Sequence, residues 1–488
     1  MKQHLLARKS IPSLVAEGES SGLTRSLGVW DLIFLGIGVI MGTGIFVLTG
    51  HAAAVNAGPS VAVSFAVAGL AAGFAGLCYA EMASMIPVSG SAYTYAYATM
   101  GELAAFLIGW DLILEYLVGA ATVTVGWSGY LVALLKRTVG WTVPARWCEA
   151  PLSWSENSAG LAWTGSIINL PAVIFAVGIT LLLVAGIRQS ARVNTYVVLL
   201  KLGAVGLFLA LAAPHVDPSN WQPFMPANAG SFGKFGVSGV LQGATMVFFA
   251  YIGFDAISTV AQETKRPQRD LPIGMMVSLA VCVVLYMAVS LVLTGIAHYS
   301  ELSVPHPLAV GAARVGPQWL ELVVEVGALS GLFSGALVML MGQPRIFYAM
   351  ARDGLFPAFA ARLHPTRGTP VVTTLISGTA CAVMGGLLPI SVLGELTSIG
   401  TLFAFVLVSI SVTIMRLTRP NAPRAFRVPG GPFLIPMTAA AISFGLLLTA
   451  TSSTLLRLFV WMALGLLIYF LYGIRHSRLR ETTCACDG

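Results

Sequence analysis

The sequence predicts an all-α polytopic membrane protein with twelve transmembrane helices, and three observations carry that prediction. Only 10% of the 488 residues are charged and 57% are hydrophobic, whereas a soluble chain of this length carries about 25% charged residues. Mean hydropathy is accordingly high, at +0.84. Apolar runs recur twelve times, and Lys and Arg gather in alternate connections between them.

In chain order the runs occupy about residues 29–51, 59–84, 99–135, 168–187, 193–213, 237–262, 271–298, 318–350, 371–389, 393–416, 432–452 and 456–474. Each approaches or exceeds the roughly 20 residues that cross about 30 Å of hydrocarbon as a helix. The first and sixth are interrupted by glycines, the third carries Asp111 and Glu115, and the fifth carries Lys201. Cys78, Cys282 and Cys381 sit in apolar runs as small packing residues, and Glu81 closes the second run as a loop anchor. The largest polar segments, near 138–165 and 352–370, have room for a short amphipathic helix but not for a separate soluble domain.

With the N-terminus in the cytoplasm, 20 of the 27 Lys and Arg fall in cytoplasmic tails and loops, including Arg188, Arg192, Lys265, Arg266, Arg416 and Arg475. This bias places both termini inside, as an even number of spans requires. It also accounts for the formal charge of +7 without nucleic acid, because the basic residues are dispersed over many short loops. The first apolar run is too long for a signal peptide, so the N-terminal segment is expected to be retained. Cys484 and Cys486 lie on the cytoplasmic tail, where disulfides are disfavoured. Without further Cys or His nearby they predict no metal site.

The first run reads "GIGVIMGTGIFVLTG", with four glycines and a Thr between Gly36 and Gly44. In the sixth run, "FFAYIGFDAISTVAQE" is interrupted at Gly253 and Asp255. The two lie five spans apart, and an odd offset makes them cross in opposite directions. Interrupted spans at corresponding positions of two five-span halves point to an inverted-repeat secondary transporter with its site at the breaks.

The chemistry explains the breaks. In lipid an intact helix satisfies all its own backbone groups, whereas a break frees N–H groups at one helix start and carbonyls at another helix end. The former suit an anion and the latter a cation. A zwitterionic amino acid presents one of each. Met41, Gly42, Thr43 and Gly44 are therefore expected to offer amides and a hydroxyl to its carboxylate, and the carbonyls of Phe249, Ala250 and Ile252 to accept from its ammonium, with Ile40, Tyr251 and Gly253 completing the expected substrate-binding residues. Glycine is required there because only its backbone approaches a ligand so closely.

Lys201 lies about eight residues, roughly 12 Å at helical rise, from the cytoplasmic end of its span. An ammonium at that depth is costly and able to exchange a proton, which makes it the candidate coupling residue. Asp111 and Glu115, four residues apart, share a helix face. With Asp255, which could cap the outgoing half-helix or hold the ligand's cation, they are the candidate pocket carboxylates. The chain shows no His-rich cluster, nucleophile motif or phosphate loop, so an enzyme is not expected.

These residues carry a resemblance as well. "GIGVIMGTGIFVLTG", "CYAEMASMIPVSGSAYTYAYATMGE", "IGWDLILEYLVGAATVTVGWSGY", "FFAYIGFDAISTVAQETKRPQRDLPIGM" and "PRIFYAMARDGLFP" resemble the amino acid, polyamine and organocation superfamily, and within it bacterial members of the cationic amino acid transporter family. The resemblance implies the leucine-transporter fold: an N-terminal segment (1–28), two inverted repeats (29–213 and 214–416), two peripheral helices (417–474) and a cytoplasmic tail (475–488). It implies substrate carboxylate at Met41–Gly44, amino group at Phe249–Ile252, and Lys201 in place of the sodium of sodium-driven relatives. The expected function is proton-coupled uptake of neutral or cationic L-amino acids by alternating access. No cofactor and no bound sodium are expected; the alternative is an obligate amino acid/amine exchanger. Expected partners are the amino acid and membrane lipid, with room for a small accessory membrane subunit.

Overall fold

Among the described residues each of the twelve apolar runs contains helix. Seven helices are long and apolar enough to cross a membrane, and five shorter apolar helices of 10–17 residues accompany them among the described residues. The computed structural model describes residues 7–19, 23–42, 44–155, 160–304, 307–365, 368–448 and 452–479. Thr43, Cys484 and Cys486 lie outside the described residues.

A short helix, α1 (Ile11–Glu19), precedes α2 (Val29–Ile40), which stops at the first break. The chain resumes as wider helical turns from Gly44 to Ala57 and enters α3 (Val61–Met85). Next come α4 (Ala92–Thr99), α5 (Glu102–Ile113) and α6 (Gly119–Thr138). A wide turn at Leu114–Val118 joins α5 and α6 into one 37-residue span. After α7 (Leu170–Ala185) and α8 (Ile187–Ala212), α9 (Gly236–Phe248) leads into the second break. The remaining helices are α10 (Pro267–Ile296), α11 (Pro307–Val315), α12 (Gln318–Arg352), α13 (Val371–Leu387), α14 (Ile390–Thr418), α15 (Leu434–Leu448) and α16 (Ser452–Ile468).

One local feature departs from an all-helical chain. Segment 138–165 forms a helical turn at Ala145–Cys148 and an antiparallel hairpin of β1 (Leu152–Ser155) and β2 (Gly160–Trp163), with Leu152 opposite Trp163. In "LSWS" apolar and polar residues alternate with period two, the strand pattern.

The bundle is organised around the broken elements. α3 runs along α10, α7 against α13, and α12 against both α6 and α8. α2 packs on α10, and its approach is stitched to the far end of the second broken segment: Ser26 and Leu27 N–H both donate to Glu263 O at 2.9 Å, and Lys265 N–H donates to Leu27 O at 2.9 Å. Two buried ionic nodes hold this end together. Arg345 on α12 donates through Nε and Nη2 to Glu263 at 2.5 and 2.9 Å. Glu81, at the end of α3, accepts from Arg416, from Arg424 at 3.2 Å and from Val428 N–H at 2.8 Å, the anchoring role expected for it.

Removing one member of a buried pair strands the other, at a cost of about 3–5 kcal/mol. Arg345→Met is therefore expected to lower the thermal unfolding midpoint in micelles strongly. Arg345→Met combined with Glu263→Gln should recover most of the loss, and equal loss in single and double variants would rule the explanation out.

Candidate functional site

The first break follows from its composition: Gly42 and Gly44 are poor helix formers. Met41 leaves helical geometry, at φ −81° and ψ 65°. Its N–H donates to Ile37 O at 3.0 Å, and Gly42 N–H turns back to Ile40 O at 2.8 Å. The end of α2 lacks the full set of backbone donors for its carbonyls, and Lys201 on α8 adds a side-chain donor there. Its fully buried ammonium donates to Ile37 O (3.0 Å), Gly38 O (2.9 Å) and Met41 O (2.9 Å), and lies 2.9 Å from Ser334 Oγ on α12. Ser334 in turn donates to Gly38 O at 2.8 Å. A cation thus sits on the negative end of a helix, where the dipole favours it.

At the second break, α9 ends at Phe248, Phe249–Tyr251 form a tight turn, and Gly253 takes φ +106°. That left-handed conformation suits glycine. A tight helix, Phe254–Glu263, then continues with a kink at Val260. The two breaks touch: a Cβ on Gly44 would fall 2.2 Å from Ala250 Cβ. Tyr286 on α10 joins their carbonyl ends, with its hydroxyl 2.6 Å from Ile40 O and 3.1 Å from Ala250 O. Tyr251 turns away and donates to Phe65 O at 2.9 Å.

Between the breaks lies a cavity of about 40 Å³, room for a few waters at ~10–15 Å³ each, so a larger ligand enters only when its walls move apart. Ile40, Gly42, Gly44, Ala250 and Ile252 line it, as does Val39. The far wall comes from α6 (Gly119, Thr122, Val123), α12 (Gly335, Met339) and α14 (Thr397). No charged side chain lines it among the described residues. Met41 sits behind the wall with its carbonyl on Lys201. The Met41 and Gly42 N–H groups are already engaged, and the helix resumes at Gly44, a start whose first-turn amides have no internal helical acceptors.

The carboxylates stand apart from the cavity. Asp255 accepts from Tyr116 OH at 2.5 Å. Asp111 and Glu115 are both buried, and neither Asp111 oxygen has a hydrogen-bond partner among the described residues. Both are therefore screened from lipid, as their cost requires. Tyr286, Ser334, Thr122, Met339 and Thr397 were missed in the sequence. Of these only Tyr286 left a trace, a polar tip within "VCVVLYMAVSLVL". Among the described residues no cluster of three or more His, Cys, Asp or Glu is placed to hold a metal.

Broken apolar helices with apposed ends and a buried ammonium on the first are what the superfamily resemblance implies. Residues 27–474 match the amino acid permease family. The chain belongs to that family. It is a family of transporters, so the protein is a membrane-spanning permease rather than an enzyme. The chain is 46% identical to a branched-chain amino acid permease of Bacillus subtilis (strain 168), covering 99% of this chain and all of the relative. A methylthioribose transporter of the same organism is 41% identical over 98% of this chain and 99% of its own length. The human cationic amino acid transporter 4 is 36% identical over 87% of this chain and 64% of its own.

Gly44→Ala places a methyl group against Ala250, and overpacking of this kind costs about 1–3 kcal/mol, roughly 5- to 150-fold in affinity if spent on opening the breaks. Because the clash is present with the breaks packed together, the variant is expected to lower the ligand-free midpoint and to weaken amino-acid-induced thermal stabilisation. Undiminished stabilisation would show that the contact is irrelevant to binding.

Proposed function

We propose that this permease takes up neutral L-amino acids with branched apolar side chains, coupled to protons, by alternating access of a twelve-span inverted repeat in the cell membrane with both termini cytoplasmic. The cavity between the two breaks carries the reading. The first-turn amides at Gly44 face the substrate carboxylate and the Phe249, Ala250 and Ile252 carbonyls its ammonium, while Val39, Val123, Ile252 and Met339 enclose the side chain. Walls without charge favour an apolar side chain over a cationic one, since a buried unpaired ammonium or guanidinium is costly. The branched-chain specificity named for the 46%-identical relative agrees.

The repeat reading (29–213 against 214–416, with 417–474 peripheral) is supported by who packs on whom. Elements five spans apart meet in the first and second breaks, in α3 with α10, in α6 with α12 and in α7 with α13, the arrangement of elements that lie beside a pseudo-two-fold axis. Proton coupling is supported by Lys201. Its ammonium takes the α2 carbonyls to which a metal cation would otherwise bind, so no sodium and no cofactor is invoked. Loss of its proton removes the charge holding those carbonyls and loosens α2, which links protonation to movement of the break.

Two measurements on proteoliposomes test this. Lys201→Ala is expected to keep counterflow and lose uphill accumulation under an imposed proton gradient; unchanged uphill uptake would sink the coupling role. Uptake only into preloaded vesicles would instead establish an exchanger. In thermal-shift titrations isoleucine should outrank alanine by about tenfold or more, each buried methylene contributing ~0.8 kcal/mol. Arginine or methylthioribose stabilising as strongly as isoleucine would overturn the proposed specificity.

A further inference from the structure

The end of α6 and its connection to α7 concentrate one residue type. Five of the chain's ten Trp lie between residues 127 and 163, and Trp gathers where hydrocarbon meets water. Three of them, Trp127, Trp141 and Trp147, line a groove of about 470 Å³ together with Leu131 and Leu135 on α6 and Ile174 on α7. That volume falls in the ~300–1,000 Å³ range of small-molecule sites. The groove shares no residue with the cavity between the breaks, and no charged side chain lines it among the described residues.

Its walls are fixed by specific contacts. Trp127 stacks on buried Phe175 with ring centroids 4.0 Å apart, and Phe175 meets Phe333 of α12 at 5.8 Å. Asn169 caps α7 by accepting from Ala172 N–H at 3.2 Å, and Ser128 Oγ on α6 donates to the same Asn169 oxygen at 2.6 Å. The helical turn that carries Trp147 is held to the approach of α7, where Ile167 N–H donates to Arg146 O at 2.8 Å. One side stays open: Ile174 is 62% exposed, and the exposed Val177 and Leu181 continue from it along α7. Charge flanks the groove. Between residues 127 and 150 the only acid is Glu149, against the bases Lys136, Arg137 and Arg146. Arg137 is engaged by Glu321 and Glu325 of α12, whereas Lys136 and Arg146 are exposed and form no ion pair among the described residues.

We propose that this groove binds one anionic phospholipid, with an acyl chain along Leu131, Leu135 and Ile174 and the headgroup phosphate at Lys136 and Arg146. The open side belongs to an apolar helix whose exposed face meets hydrocarbon, so what fills the groove comes from the bilayer. Its size selects the occupant. One turn of helix, about 10 Å across and 5.4 Å high, already takes up roughly 420 Å³, so the groove accommodates a chain of methylenes and not a neighbouring transmembrane helix. Charge selects the headgroup: two cations at the end of a span meet a phosphate at the depth where headgroups lie, and a zwitterionic lipid brings an ammonium of its own that offsets the attraction. Lys and Arg are otherwise sparse on this side of the proposed topology, which holds six of the 27, and three of those six are Lys136, Arg137 and Arg146.

The test uses the full chain purified in micelles, titrated with dioleoylphosphatidylglycerol or dioleoylphosphatidylcholine, with bound lipid counted by native mass spectrometry. The parent is expected to retain one phosphatidylglycerol about tenfold or more tightly than phosphatidylcholine, each cation near the headgroup adding roughly fivefold. Lys136→Gln combined with Arg146→Gln, both on exposed side chains, should bring the two lipids within twofold of each other. Ile174→Trp, which fills the groove from its open side, should weaken retention of both by about tenfold, and its unfolding midpoint without added lipid checks that the chain is folded. Glycerol phosphate, the headgroup without its tails, should not displace the lipid. Equal retention of the two lipids by the parent would reduce the groove to ordinary lipid contact and overturn the site. A phosphatidylglycerol preference that survives the double Gln variant, or displacement by glycerol phosphate, would overturn it as well. So would a protein mass, a second copy included, that stays bound to the parent in place of lipid and leaves on Ile174→Trp.

Discussion

A helix broken inside a bilayer must find partners for the backbone groups it gives up, because no water is present to take them. Everything at the centre of this permease follows from how those partners are supplied. Lys201 and Ser334 take the last carbonyls of α2, Tyr286 reaches Ile40 O and Ala250 O together, and Tyr251 secures the second turn to α3 through Phe65 O. Three helices, α8, α10 and α12, are thereby fixed against the breaks by polar contacts rather than by packing alone. Glycine composition makes the break possible, and these side chains take up the backbone groups that it gives up.

Charge is distributed with the same logic. The described buried ion pairs cluster on the side of the molecule that carries the chain ends: Glu263 with Arg345, Glu81 with Arg416 and Arg424, and Lys9 with Asp353. Each is bonded on several sides, the condition under which a buried pair is tolerated. The cavity between the breaks has uncharged walls instead. A zwitterion brings its own two charges and needs main-chain dipoles of both signs, not side-chain ions, which would compete for either end. Ionic contacts and the uncharged cavity thus occupy separate parts of the bundle.

Much of this was legible in the sequence. Glycines within an apolar run violate helix propensity, and Lys201 violates the cost of charge in lipid, so each marks a place where some other requirement prevails. Glu81 was legible for the same reason. The partners were not. Ser334 is one serine among small residues of α12, indistinguishable from packing. The far wall from Gly119, Thr122, Val123, Met339 and Thr397 depends on how α6, α12 and α14 are rotated, which hydrophobic periodicity cannot set in helices apolar nearly all round. The hairpin at Leu152–Trp163 escaped because four alternating residues are too short a signal. Lys9 escaped because a basic, polar N-terminal stretch reads as solvated tail until the acid opposite it is seen.

The relatives sharpen what the two halves of the site do. Proteins named for branched-chain amino acids, for methylthioribose and for cationic amino acids match this chain at 46, 41 and 36% identity. The breaks present main-chain groups to the cavity, whereas the wall opposite presents side chains. In this chain that wall is built from small or flexible residues on three separate helices, with Gly119 leaving room that Met339 and Thr397 crowd. Changing one of them alters the shape offered to a side chain without disturbing Lys201, Tyr286 or the backbone they hold.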